Sequence, residues 1–199
     1  QHLWFDLDQY GMKGLASVVE ERVRESGRKV RPETTEDRLR KKKRTIELKK
    51  KRRSFVRSNA GVQFVVNDFN RLREVLELKV ETYENIDSNI PFNIDRDGRM
   101  HIVTSWPFKT VFYPDQYARN TVEGASLTAY LKRNKGDGGI RGEWKDVHET
   151  EFEPTLDSSG EPVWRLADGD YYSLEMAVSY VLDDMAERVY DAVEERYDQ

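Results

Sequence analysis

The stretch from Pro91 to Tyr113 reads PFNIDRDGRMHIVTSWPFKTVFY, and its pattern decides the fold. Residues 91–95 and 99–105 are short runs rich in β-forming side chains on either side of Asp97-Gly98, a pair suited to a tight hairpin turn. Pro107 ends the second run, because proline has no N–H to give to a ladder, and Phe108–Tyr113 makes a third. Short strands joined by turns predict an antiparallel sheet.

Reading towards the C-terminus extends that sheet. Ala125–Lys132 and Trp144–Glu153 flank the glycine-rich Gly136–Gly142 and form a further strand pair. Val163–Leu166 follows the Ser158-Ser159-Gly160 turn as a sixth strand. The chain then closes in a long helix from Ser173 to about Tyr197, with Ser173 as N-cap and Glu175 in the first turn. Leu174, Ala177, Val178, Val181, Met185, Val189, Ala192 and Val193 form its apolar stripe, which is expected to lie across the sheet. Its other face carries Asp183, Asp184, Glu187, Asp191, Glu194 and Glu195.

Reading towards the N-terminus gives helices. Val62, Val65, Val66, Phe69, Leu72, Val75, Leu76, Val80 and Tyr83 recur at helical spacing. Such a stripe must pack on something, and the sheet is the obvious surface. Ser58-Asn59-Ala60-Gly61 separates this helix from an earlier one that starts at Thr34-Thr35-Glu36-Asp37. A short amphipathic helix is expected over residues 8–24, followed by a polar connector over 26–32. The fold class is therefore α+β. A helical region (1–86) with a projecting basic arm (35–57) precedes a domain (87–199) of about five to six antiparallel strands packed by the C-terminal helix.

Charge is the main functional signal. Eleven of the sixteen residues in RLRKKKRTIELKKKRR, Arg38–Arg53, are basic, in a chain of net charge −4. Residues 1–60 hold 18 basic and 9 acidic side chains, net +9, whereas residues 61–199 hold 15 and 28, net −13. Cations at successive 100° steps surround the axis, so this helix cannot be buried. Lys and Arg clusters neutralise phosphates and release counterions with little sequence preference. Arg38, Arg40, Lys41, Lys42, Lys43, Arg44, Lys49, Lys50, Lys51, Arg52 and Arg53 are the expected contacts to a polyanion, most simply nucleic acid. The block has no interleaved aromatic residues, so stacking on single-stranded bases is not suggested by it. The competing reading docks the arm on an acidic protein surface, such as Asp183, Asp184, Glu187 and Asp191 of a second copy, so a protein partner or homo-oligomer is expected as well.

Catalytic signals are weak. Glu143-Trp144-Lys145, with Asp137 upstream, has the acid–acid–lysine composition of metal-dependent nucleases. The same E-x-K form recurs at Glu47–Lys49 and Glu77–Lys79 and is common in so charged a chain. Asp137 also lies closer to it in sequence than such folds usually allow. Gly136–Gly142 lacks the third glycine of a dinucleotide loop and the Lys-Ser/Thr ending of a P-loop. Asp95-Arg96-Asp97-Gly98 resembles the start of a calcium loop without its later ligands. His2, His101 and His148 are isolated, so no metal site or cofactor is expected, and His148 reads as a half-buried strand residue. Trp106, Trp144, Trp164, Phe108, Phe112 and Phe152 read as core aromatics. The chain is expected to be a non-enzymatic binding module.

Cysteine is absent, which excludes disulfides and thiolate chemistry and fits a reducing compartment such as the cytoplasm, nucleus or nucleoid. No apolar run reaches the roughly 18–20 residues of a membrane span, and none resembles a signal peptide. The chain opens Gln1-His2-Leu3-Trp4, with its first methionine at Met12, as expected of a fragment or processed product.

Overall fold

In a computed structural model, residues 33–115, 120–135 and 143–197 are described. The expected helix 8–24, the connector 26–32 and the glycine-rich loop 136–142 lie outside them. By contacts the chain divides into two units between Arg44 and Thr45. The described elements are helices α1 (Thr35–Val56) and α2 (Asn59–Ile86), strands β1 (Asn93–Asp97), β2 (Met100–Ser105), β3 (Phe108–Asp115), β4 (Ser126–Asn134), β5 (Trp144–Leu156), β6 (Pro162–Leu166) and β7 (Tyr171–Tyr172), and helix α3 (Leu174–Tyr197). The fold is α+β, as the hairpin pattern and helical stripes require.

The seven strands form one antiparallel meander in sequence order. Gly98 sits at φ 59° in the β1–β2 turn, a left-handed conformation that glycine adopts without strain. The register brings both members of alternate rungs to a common face: Val103 opposite Thr110, Phe112 opposite Ala129, Leu127 opposite Phe152, and Pro154 opposite Trp164. Helices α2 and α3 cover that face. They run parallel, since Arg71 pairs with Glu175 at 2.7 Å and Lys79 with Asp183 at 2.9 Å. Leu72, Leu76, Val178, Leu182, Met185 and Val189 fill the layer between them and the sheet. The α3 cap is as expected: the Met176 N–H donates to Ser173 Oγ at 3.2 Å.

Three details differ from the sequence reading. β7 is a seventh strand, too short to leave a periodic signal. β5 runs to Leu156 and tolerates Pro154 near its end. His148 shares a face with Thr150, yet it is exposed. It lies on the part of β5 that β6 does not reach, where it lines an open cleft against α3.

The turn between α1 and α2 is tightly built. Ser58 caps α2 by accepting from the Gly61 N–H at 3.1 Å, while its own hydroxyl donates to the Phe55 carbonyl at 2.8 Å. A Cβ at residue 61 would run into the Phe55 carbonyl, so glycine is required there by close approach. Gly61→Ala is expected to destabilise the protein by about 1–3 kcal/mol through overpacking, measurable by chemical denaturation, with secondary-structure content unchanged in the absence of denaturant.

His101 is buried on β2 opposite Arg96, and its Nδ1 has no hydrogen-bond partner among the described residues. Burial first, then the charges of Arg96 and Arg73, hold its pKa below the ordinary 6.5, against a smaller opposing pull from Glu77. The folded state therefore binds this proton less readily than the unfolded state. Stability is complete above about pH 6.5 and falls as the pH drops below that value towards the depressed folded-state pKa. Relative to wild type, His101→Leu is expected to gain stability progressively below pH 6.5, and a constant difference from pH 7.5 to 5 would overturn this assignment.

Candidate nucleic-acid interface

The basic helix α1 has residues in both units. In the N-terminal unit it begins with a reciprocal cap: Asp37 Oδ2 accepts from the Thr34 hydroxyl at 2.7 Å and the Thr34 N–H at 3.1 Å. The Asp37 N–H in turn donates to Thr34 Oγ1 at 3.2 Å. These bonds hold the Asp37 carboxyl below its usual pKa, leaving a charged acid at the positive end of the helix dipole. Arg38, Arg40, Lys41, Lys42, Lys43 and Arg44 follow, all exposed, and Lys41 lies 3.8 Å from Glu33. Leu39, at 60% exposure, faces solvent among them.

In the second unit the last turns of α1 are anchored. Leu48, Arg52 and Phe55, at i, i+4 and i+7, form one stripe. Phe55 is buried against the Phe64 ring at 6.1 Å. Arg52 Nε donates to the Leu156 carbonyl at 2.7 Å, and its NH2 group donates to the Tyr171 hydroxyl at 2.6 Å. The Val56 carbonyl accepts from the Val122 N–H and the Thr121 hydroxyl, both at 2.9 Å. Sequence reasoning missed this dock because its central residue is an arginine, which in a basic block reads as one more phosphate contact. Lys49, Lys50, Lys51 and Arg53 lie off the stripe and are exposed. Arg52→Ala should thus act on structure more than on charge. Loss of both bonds is expected to raise amide exchange over residues 45–56 by about tenfold, corresponding to roughly 1.4 kcal/mol of local stability.

Two acids of the α3 face are engaged within their own chain. Asp183 accepts from Lys79 and, at 2.6 Å, from the Tyr83 hydroxyl, while Asp184 pairs with Arg188 at 2.9 Å. Burial and that bond to Asp183 push the Tyr83 pKa well upward. An open cleft of about 440 Å³ between β4–β5 and α3 is lined by His148, Thr150, Tyr180, Asp183, Asp184 and Glu187 among others. Of the catalytic candidates, Asp137 lies outside the described residues. Glu143 is bound by Lys135 at 2.7 Å, which lowers its pKa, and Lys145 stands opposite Arg133 on the ladder. Among the described residues no three His, Asp or Glu side chains converge on a metal position, and no helix is long and apolar enough to cross a membrane.

Comparisons with protein-family models, with curated proteins and with solved structures found no match to this chain.

Proposed function

We propose that the protein is a non-catalytic binding module that lays α1 against nucleic-acid phosphates without reading base sequence. The observation that carries this reading is the surround of exposed Lys and Arg on a helix docked through Arg52 and Phe55. A cation ring of this kind contacts phosphates at regular spacing and gains affinity from counterion release. Ten of the eleven basic residues of the block are exposed, and Arg52 holds the helix on its base. The alternative, an arm docked on the acidic α3 face of a second copy, is less favoured, because Asp183 and Asp184 already pair with Lys79 and Arg188.

The test is a titration of fluorescent duplex DNA and RNA at several salt concentrations. If about five cations engage duplex phosphates, log affinity falls against log salt with a slope near −4.5. Changing Lys49, Lys50, Lys51 and Arg53 to Gln, with Arg52 retained so that the dock survives, is expected to flatten that slope to about −1. Absence of duplex binding at low salt would transfer the arm to an acidic protein partner. Mg²⁺-dependent cleavage abolished by Glu143→Ala would move the protein to the nucleases.

A further inference from the structure

A second concentration of positive charge lies at the opposite end of β5 from the α1 dock. Six of the fifteen Lys and Arg residues in 61–199 gather there: Lys109, Lys132, Arg133, Lys135, Lys145 and Arg188. Two neighbouring rungs set like charges directly opposite one another, Lys109 against Lys132 and Arg133 against Lys145. Opposed like charges destabilise a sheet, and a segment with 28 acids had ample means to avoid them. Asp146 answers Lys132 at 2.7 Å, Glu143 answers Lys135 at 2.7 Å, and Asp184 answers Arg188 at 2.9 Å.

The other three cations have no carboxylate partner among the described residues. Lys109 Nζ sits 4.2 Å from the Trp144 ring centre, and the Arg133 guanidinium 5.5 Å from that of Phe108. Lys145 is exposed beside Arg133. Arg133, Lys135, Lys145 and Arg188 line an open cleft of about 550 Å³ on the α3 side of the sheet. Lys109 and Lys132 flank its end on the other face, where the half-buried Trp106 meets Trp144 at 6.3 Å, edge to ring. Burial first, and then the charge of Lys132, push the Lys109 pKa down.

We propose that this corner is a second polyanion contact that takes single-stranded nucleic acid, with phosphates against Lys109, Arg133 and Lys145 and a base against the Trp106–Trp144 pair. Cations beside aromatic rings are the chemistry by which unpaired strands are held, and α1 has no aromatic residues among its exposed cations. The site goes beyond the α1 reading and does not depend on it. Along the 13 residues of β5, at about 3.3 Å per step, the two lie roughly 40 Å apart.

The test uses the full chain with fluorescent oligothymidine, a duplex of matching length, and heparin as a non-nucleic polyanion. A corner variant, Lys109→Gln with Arg133→Gln and Lys145→Gln, is expected to lose at least about tenfold in oligothymidine affinity. Its salt slope should flatten by about 2, since single-strand contacts contribute roughly 0.7 each, with duplex binding unchanged. The arm variant, with Lys49, Lys50, Lys51 and Arg53 changed to Gln, should show the reverse pattern, so failure of either site is seen separately. Lys109→Gln alone should raise Tm by a degree or more while weakening binding, which separates a lost contact from a damaged fold. Oligothymidine should quench tryptophan fluorescence and heparin should not. Three outcomes would overturn the proposal: no oligothymidine binding at low salt, full affinity in the corner variant, or heparin that both quenches and displaces oligothymidine at equal charge.

Discussion

The structure depends on a one-sided sheet that has to be covered. A seven-stranded meander with one largely apolar face is not stable in water until that face is dry. Two helices from opposite ends of the sheet's sequence supply the cover, and their parallel packing follows from where the chain enters and leaves the meander. Trp164 marks the centre of the contact. It is fully buried, with Phe64 and Phe69 rings at 5.6 and 5.7 Å, and its Nε1–H donates to Asp68 at 2.7 Å. Burial raises the Asp68 pKa, opposed first by the Trp164 bond and then by Arg71 at 4.0 Å. A carboxylate is thus held inside the helix–sheet layer, and it fixes the rotation of α2 about its own axis.

Once α2 is fixed, the end of α1 is constrained. The Ser58–Gly61 turn leaves no room for a side chain at residue 61, and Val56 is bonded to the β3–β4 connection. A helix with eleven cations among sixteen residues cannot follow α2 into the core, because burying an unpaired charge costs far more than any apolar contact returns. Arg52 and Phe55 reach inward instead, ahead of Val56 at the turn. Arg52 lays its stem along the edge of the sheet and ends its guanidinium on a carbonyl and a phenol, and so stays hydrogen-bonded at the boundary. Docking and exposure are therefore the work of neighbouring residues on one helix, and a charge count alone does not separate them.

Much of this fold was legible in the sequence, because period-2 and period-3.6 patterns report which face is buried whatever the partner is. The Asp97-Gly98 turn, the Val62–Tyr83 stripe, the Ser173 cap and the α3 stripe all follow from local chemistry. The candidate sites were less legible for a physical reason. Lys109, Lys132 and Lys145 are far apart in sequence and meet only through register, so no window of the chain contains their cluster. Trp106 and Trp144 look like Trp164 in composition, yet they sit half-buried at the end of the sheet. The exposed position of His148 goes with a β5 longer than its partner strand β6, which has no sequence signature in this stretch.

The acidic remainder of the molecule shapes what the two basic regions can do together. Between them, the outer face of β5 presents Glu149, Glu151 and Glu153, all exposed, and Glu153 pairs with Arg165 at 2.7 Å. A phosphate chain laid along β5 would pass directly over these carboxylates, well inside the roughly 8–10 Å screening length of physiological salt. Repulsion at that range opposes a continuous track and favours contact at the two ends of the strand. It also sharpens discrimination, because a polyanion gains from the cation clusters only when its path avoids the acids between them. On the proposed reading, segregation of charge along one long strand favours two separate footholds on nucleic acid over a single groove.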